Sequence, residues 1–353
     1  MNEALRRRRL LLISMYPLDE GLWGPTARII RLRDELASLV DLDIIDGYRP
    51  ARRLQLGRYV VSGRLRRLDG IYVESSTFLP AEADFAFLGL ARALRVPVVT
   101  YIRDAYQLFA EYYPRDSLKR RLSAAAFLPA VRALRAVSSR LAFPTAGLAD
   151  AVLGTGAGAV LLPPGAPEPV HVTRRPGAAR LLYVSDARIP AQGGDRLMAA
   201  VEIARSGGAE IGLDVVSRDG PMLSAPYPSW LRVHRAEGAG IVALLPDVLA
   251  TVIPRPRGPY NDLALPIKLF DYLSYGRPLL VTDCVEQARV VSSADAGIVT
   301  RDDPAALAAG IGRIAAAPSS QVDLWSTHAR SAAQAALWEH RARAIVDLLK
   351  ALS

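Results

Sequence analysis

Pro266-Ile267-Lys268-Leu269-Phe270-Asp271-Tyr272-Leu273-Ser274-Tyr275-Gly276-Arg277-Pro278-Leu279-Leu280-Val281-Thr282-Asp283 passes from helical spacing to a glycine stop and then to a short apolar run. Leu269, Phe270, Leu273 and Tyr275 give the helix one apolar face, Gly276 ends it, and Pro278 prevents its resumption. Residues 279–282 form the kind of apolar run that a parallel strand covered on both faces requires. Asp271 lies mid-helix, so it either faces a cleft or is tied up. Lys268, three residues earlier, offers it an exposed ion pair of small value.

Working outward, the same alternation recurs along the chain. Strands are expected at 10–15, 42–45, 70–73, 98–102 and 141–144, and helices at 26–39, 84–94 and 118–135. The proline-rich residues 161–169 read as a linker, after which the pattern restarts. Strands are then expected at 180–184, 211–216 and 250–254, with helices at 194–205 and 242–249 before the stretch quoted above. Residues 326–352 read as helical with Trp338 at the centre. Such alternation predicts an α/β fold of two parallel, helix-covered sheets. The expected domains are 1–166, completed by 336–353, and 167–335.

The chain has 353 residues, 51% of them hydrophobic, enough for two domains with substantial cores. One cysteine, Cys284, excludes an intramolecular disulfide framework, and four histidines show no familiar zinc spacing. No apolar run approaches the ~20 residues of a membrane span. Residues 1–9 lead directly into a strand without a signal-like apolar segment. A cytoplasmic protein is expected, with the inner face of the cell membrane as a further location. The net charge of +9 is concentrated in the first half, which predicts an anionic partner there. No nucleic-acid-binding module is recognisable, so nucleic acid is not expected as a partner.

The stretch at 266–283 resembles the donor-sugar signature of GT-B glycosyltransferases, particularly the GT4-like group (glycosyl transferases group 1). In that group the acidic residue of P-x-K-x-x-E-Y-x-x-x-G-x-P hydrogen-bonds the ribose of a sugar nucleotide. The resemblance implies two Rossmann-like domains facing across a cleft, with a C-terminal helix crossing back to the first domain. It extends over nearly the whole chain, but the specific motif is confined to 266–283. The implied activity is transfer of a glycosyl unit from a nucleotide diphosphate sugar to a hydroxyl of a cell-surface glycan or lipid-linked precursor, with retention, no metal and no cofactor besides the donor. The chain departs from the family at two places. Leu263 stands where a second acidic residue is usual, and Gln192 stands where a lysine of the loop after the second domain's first strand is usual.

On the donor side the candidates are Asp271, Lys268, Leu269, Arg188, Tyr260, Asn261 and Gly24. Lys268 lies at a helix N-terminus that suits a diphosphate. Arg188 supplies a guanidinium from a shifted position in the loop, or is a surface arginine. Tyr260 and Asn261 precede the signature at the cleft mouth. Gly24 matches the glycine-rich loop that lets backbone approach the donor phosphates, although a turn before a capped helix reads the same way. Charges at the carboxyl end of a strand face a ligand in such sheets. Asp104 is therefore the first candidate for positioning or deprotonating the acceptor, with Arg103 as its charge partner and Glu74 as the second candidate. A structural Arg103–Asp104 pair is the alternative. Neither Asp41-Leu42-Asp43 nor Asp302-Asp303 makes a metal-binding motif. Residues 115–135 alternate basic and apolar positions, consistent with contact to an anionic membrane or with a core helix bearing a solvated basic face. Two other functions stay open: a GT-B relative acting as a sugar-nucleotide epimerase, and a non-catalytic glycan- or nucleotide-binding subunit.

Overall fold

Short apolar runs separated by helices build two parallel sheets, each in its own compact unit of a computed structural model that describes residues 7–19, 24–75, 80–186, 189–217 and 226–353. The first unit holds residues 1–165 and 338–353, and the second residues 166–337. The first runs β1 Arg9–Ser14, α1 Gly24–Leu39, β2 Asp41–Ile45, α2 Arg49–Val61, β3 Gly70–Ser75, α3 Glu82–Ala93, β4 Val98–Ile102, α4 Leu118–Val137, β5 Arg140–Phe143, α5 Ala146–Leu153 and β6 Val160–Leu161. The second runs β7 Arg180–Val184, α6 Gly194–Ser206, β8 Gly212–Ser217, β9 Leu231–Arg235, α7 Ala239–Val242, β10 Val248–Ile253, α8 Ile267–Ser274, β11 Leu279–Thr282, α9 Val285–Ala294, β12 Gly297–Thr300, α10 Pro304–Ala315 and α11 Ser319–Gln334. The last helix, α12 Trp338–Ala351, returns to the first unit and packs on α1.

The first sheet has the order β2-β1-β3-β4-β5-β6 and the second β12-β11-β10-β7-β8-β9, with every pairing parallel. The second order is that of a dinucleotide-binding sheet. It reverses direction between β7 and β10, where the loops leaving two neighbouring strands diverge and open a crevice. Strands buried along their whole length, such as β10 and β11, explain the continuous apolar runs, because helices cover both faces.

Two stretches differ from expectation. The helix expected at 242–249 is reduced to α7 and a single 3₁₀ turn at Leu245–Asp247, and β10 begins at Val248. Pro246 lies inside that turn and cannot donate to a continuing helix. The terminal helix is broken, with Trp338 at the start of α12 and not at the centre of one long element. The break at 335–337 is where the chain leaves the second unit: the Ala166 N–H donates to the Ala336 carbonyl at 2.7 Å, and Ala166 bridges Leu337.

The signature forms α8 and β11. Leu269, Phe270 and Leu273 are buried in one cluster with Ala329 and Ala333 of α11. Gly276 ends the helix in the left-handed region at φ 59°, which glycine adopts at little cost. Arg277 follows, buried and tied to main-chain carbonyls alone: Nε donates to Val248 O at 3.0 Å, Nη1 to Gly276 O at 3.1 Å, and Nη2 to Leu245 O at 2.7 Å and Val172 O at 3.1 Å. Burial brings its guanidinium down to about 10, helped by the charges of Arg174 and Arg330. One side chain thus joins the end of α8, the start of β10 and the segment entering the second unit. Arg277→Ala should lower the stability of the second unit by about 2 to 4 kcal/mol, since it strips buried carbonyls of their donor. The midpoint of urea unfolding measures this, and an unchanged midpoint contradicts the role.

Candidate functional site

At the reversal of the second sheet, residues 185–193 leave β7 and residues 254–261 leave β10. The two loops touch at Gly193. A Cβ at this position would lie 1.8 Å from the Pro254 carbonyl oxygen, and φ is 74°, so only glycine fits on both counts. Gly194 then opens α6, whose first N–H groups lack intrahelical acceptors. Helix α8 is held to the same place by Tyr272. Its buried hydroxyl oxygen accepts the Val184 N–H at 2.7 Å, satisfying the last amide of β7.

That register places Lys268, in the first turn of α8, against the first loop. Its Nζ donates to Gln192 Oε1 at 3.0 Å and lies 5.6 Å from the centre of the Tyr183 ring, while the Tyr183 hydroxyl donates to Gln192 O at 3.1 Å. The residue keeps some surface in solvent, but its ammonium end is enclosed. Burial, together with the nearby Arg255 charge, lowers Lys268 from 10.5 to about 7. Arg255, at the carboxyl end of β10, is itself buried, and its Nη2 donates to Asn261 Oδ1. Asn261 donates in turn to Pro256 O at 2.8 Å and Ala191 O at 3.5 Å, which joins the two loops. Arg255 Nε is buried with no acceptor. Among the described residues, neither Arg255 nor Lys268 forms an ion pair. Two enclosed cations side by side, one N–H unsatisfied and a helix N-terminus opening beside them, form a seat for an anion.

The other donor-side candidates are distributed as follows. Asp271 is half-buried on α8 one turn after Lys268, and Lys268 bonds Gln192, so the simple i,i+3 ion pair does not form. Leu269 is fully buried in the core and does not line the seat with its side chain. Tyr260 is also buried, and Asn261 is fully buried as the clamp on Arg255. Gly24 opens α1 in the first unit, whereas Arg188 lies outside the described residues. Arg255 and Tyr272 were missed from sequence. An arginine between two prolines at the end of a buried strand, Pro254-Arg255-Pro256, was the available signal for the first; for Tyr272 it was the tyrosine that follows the acidic residue in the signature.

In the first unit, Arg103 and Asp104 follow β4, with Arg103 Nε donating to Asp104 Oδ2 at 2.6 Å and the guanidinium 5.8 Å from the Tyr16 ring. Burial opposes the charge of Arg103, but Asp104 and Tyr16 together raise its pKa. Glu74 sits otherwise than a base at a ligand site. It is 1% exposed, and its Oε1 accepts from Arg28 Nε and from the Tyr72 hydroxyl, both at 3.0 Å. Arg28 in turn lies 3.9 Å from the centre of the Tyr101 ring and 5.5 Å from that of Trp338. Glu74 therefore serves as the counter-charge of an enclosed arginine under α12, and its carboxylate is not presented to a ligand.

No known protein-family profile matches the chain, and no curated protein matches it in sequence. Solved structures do resemble it. A sucrose-phosphate synthase from Thermosynechococcus elongatus has a TM-score of 0.67 at 13% identity, over 98% of this chain and 99% of that one. An α,α-trehalose-phosphate synthase (UDP-forming) from Burkholderia xenovorans has a TM-score of 0.62 at 11% identity, over 97% and 100%. Its counterpart from Burkholderia vietnamiensis has a TM-score of 0.59 at 11% identity, with the same coverage. The fold is GT-B: two Rossmann-like α/β domains, as the resemblance in the signature implied.

Two expectations follow from this geometry. Lys268 carries its charge below about 7 and loses it above, so affinity for a nucleoside diphosphate should fall as the pH rises through about 7, and Lys268→Gln should remove that dependence. In the free protein the sign is reversed, because an unfolded lysine titrates near 10.5 and the unfolded chain binds the extra proton in between. Stability should then rise with pH from about 7 toward 10.5, an increment absent from the variant. Titration calorimetry and urea unfolding across the pH range measure the two. Glu74→Ala should cost about 3 to 5 kcal/mol of stability by stranding Arg28, while leaving nucleotide affinity unchanged. A well-folded Glu74→Ala protein would contradict this assignment.

Proposed function

We propose that the chain is a glycosyltransferase that moves a glycosyl unit from a nucleoside diphosphate sugar to a hydroxyl group. The observation that carries this reading is the pair of enclosed, unpaired cations, Arg255 and Lys268, at the reversal of the second sheet. A diphosphate supplies the counter-charge they lack, and Arg255 Nε is the donor left for it. The names of the structural neighbours, a sucrose-phosphate synthase and UDP-forming trehalose-phosphate synthases, support a nucleoside diphosphate as product.

In this reading the protein does little covalent chemistry. As the bond between the anomeric carbon and the diphosphate breaks, charge gathers on the departing oxygens, and Lys268, Arg255 and the first N–H groups of α6 stabilise it where it forms. Asp271 holds the ribose, the role its place in the signature implies. The first unit contributes Asp104, which takes the acceptor hydroxyl's proton, with Arg103 fixing the carboxylate's orientation. Gly24 is read as bringing the start of α1 to the donor phosphates. The transfer is of the GT4-like kind, with retention and without a metal ion, to a glycan or lipid-linked acceptor, the sugar being a hexose or a close relative.

Contact with an anionic membrane is assigned to residues 115–135. Leu118 and Leu122 on the first two turns of α4 are exposed, together with Lys119, Arg120 and Arg121, which supports this reading. Among the described residues no helix is long and apolar enough to cross a membrane.

Calorimetry with a panel of nucleoside diphosphates, followed by donor hydrolysis and transfer assays in EDTA, tests the proposal. Binding with slow hydrolysis and EDTA-resistant transfer are expected, and absence of binding by every member of the panel overturns it. Asp271→Asn should weaken nucleoside diphosphate binding by about 1 to 3 kcal/mol. Asp104→Ala should keep donor affinity and lower transfer roughly 100-fold. Exchanging Lys119, Arg120 and Arg121 for glutamate should abolish co-sedimentation with anionic vesicles at low salt without changing thermal stability.

A further inference from the structure

Strands β1, β2 and β3 begin at Arg9, Asp41 and Gly70, so the edge where they start is opposite the carboxyl edge that carries Asp104. At this starting edge, within the first unit alone, a cavity of about 560 Å³ is lined by Arg7, Arg9, Arg66 and Arg67 together with Asp41 and Asp69. Four positive charges against two negative ones leave it at +2. Asp69 Oδ2 is engaged by the Arg9 main-chain N–H at 2.8 Å, and Arg7 Nη2 donates to Ser38 O at 2.7 Å. Among the described residues, none of the four guanidinium groups forms an ion pair. This contrasts with Arg28, Arg52, Arg64 and Arg103 of the same unit, each bonded to a carboxylate.

The two arginines of the 3₁₀ turn Arg64–Arg67 that line the cavity are presented on a fixed backbone. Gly63 enters the turn at φ 69°, and Arg64 at its start donates to Asp43 Oδ1 at 2.6 Å while lying over the Tyr59 ring. Tyr59 donates to the other oxygen of Asp43 at 2.7 Å. Leu65 and Leu68 are buried on either side of Arg66 and Arg67, which stay exposed. Two planar forks carried on an anchored turn suit bidentate contact with phosphate oxygens, because the backbone that presents them is already fixed. The net charge of the cavity matches a phosphomonoester dianion.

The geometry points to a second anion site in this protein: the cavity of Arg7, Arg9, Arg66 and Arg67 binds a phosphomonoester group, carried by a free small molecule or by a lipid headgroup. The site is independent of the donor seat, which lies in the other unit.

The test uses the full chain and two probes. Methyl phosphate, followed by phosphorus NMR titration, represents the free ligand. Vesicles of phosphatidylcholine containing phosphatidic acid, co-sedimented against phosphatidylcholine alone with the full chain carrying Lys119, Arg120 and Arg121 exchanged for glutamate, so that α4 makes no contribution, represent the headgroup. R66E/R67E should weaken binding of whichever probe binds by at least about tenfold, and Lys268→Ala should leave it unchanged. R66Q/R67Q should give a smaller loss, and it stands in for the charge reversal if that variant fails to fold. Raising the salt should weaken binding of the wild type, because the site is exposed. Methyl phosphate binding that is lost in R66E/R67E assigns a free phosphomonoester; binding of phosphatidic acid vesicles alone, lost in the same variant, assigns the headgroup. Failure of both probes to bind overturns the proposal, as does binding that survives both arginine variants or is lost in Lys268→Ala.

Discussion

The hydroxyl of Tyr272 sets the register on which the candidate anion seat of the second unit depends. A buried strand end must satisfy its last amide, and the Val184 N–H does so on a side chain of α8. Because that helix is simultaneously packed by Leu269, Phe270 and Leu273 and stopped at Gly276, the single hydrogen bond fixes it both along its axis and in rotation. Lys268, one turn earlier, then has one place to go: over the Tyr183 ring and onto Gln192. The close approach of Gly193 to Pro254 does the corresponding job for the two loops, bringing Arg255 and Gln192 within reach of one helix.

The treatment of charge separates structure from site. In the first unit, Arg28 is matched by Glu74 and Arg52 by Asp84, and all four side chains are buried. Such pairs offset the desolvation of two ions by direct contact and hydrogen bonds. Arg277 of the second unit reaches the same end without a carboxylate, through four main-chain carbonyls. Arg255 and Lys268 follow neither pattern. Each has a neutral amide partner, and each lies near the other's charge. The cost of that arrangement appears as the lowered pKa of Lys268, and an anion brought to the pair removes it.

This view also explains how Gln192 fits the seat. A glutamine at the place where a lysine is usual does not leave the loop without function, because its carbonyl oxygen accepts from Lys268 and orients it.

Local sequence was sufficient for the fold class and for many, not all, of the elements. Periodicity and stop residues marked α8, Gly276 and β11, because helix and strand place apolar side chains at different intervals and glycine alone takes a left-handed turn cheaply. Alternating segments then required a parallel, doubly covered sheet. The motif also singled out Lys268, which the structure sets against Gln192. Partnership was not legible, since hydrogen bonds across 76 residues between Lys268 and Gln192, or across 46 between Arg28 and Glu74, depend on strand order and register. Glu74 and Asp104 look alike in sequence, each acidic at the end of an apolar strand. Only packing decided that Glu74 would be enclosed beneath α12 with Arg28, while Asp104, also buried, pairs with its chain neighbour Arg103, and that the terminal helix would break at 335–337, where the Ala166 N–H bonds the Ala336 carbonyl.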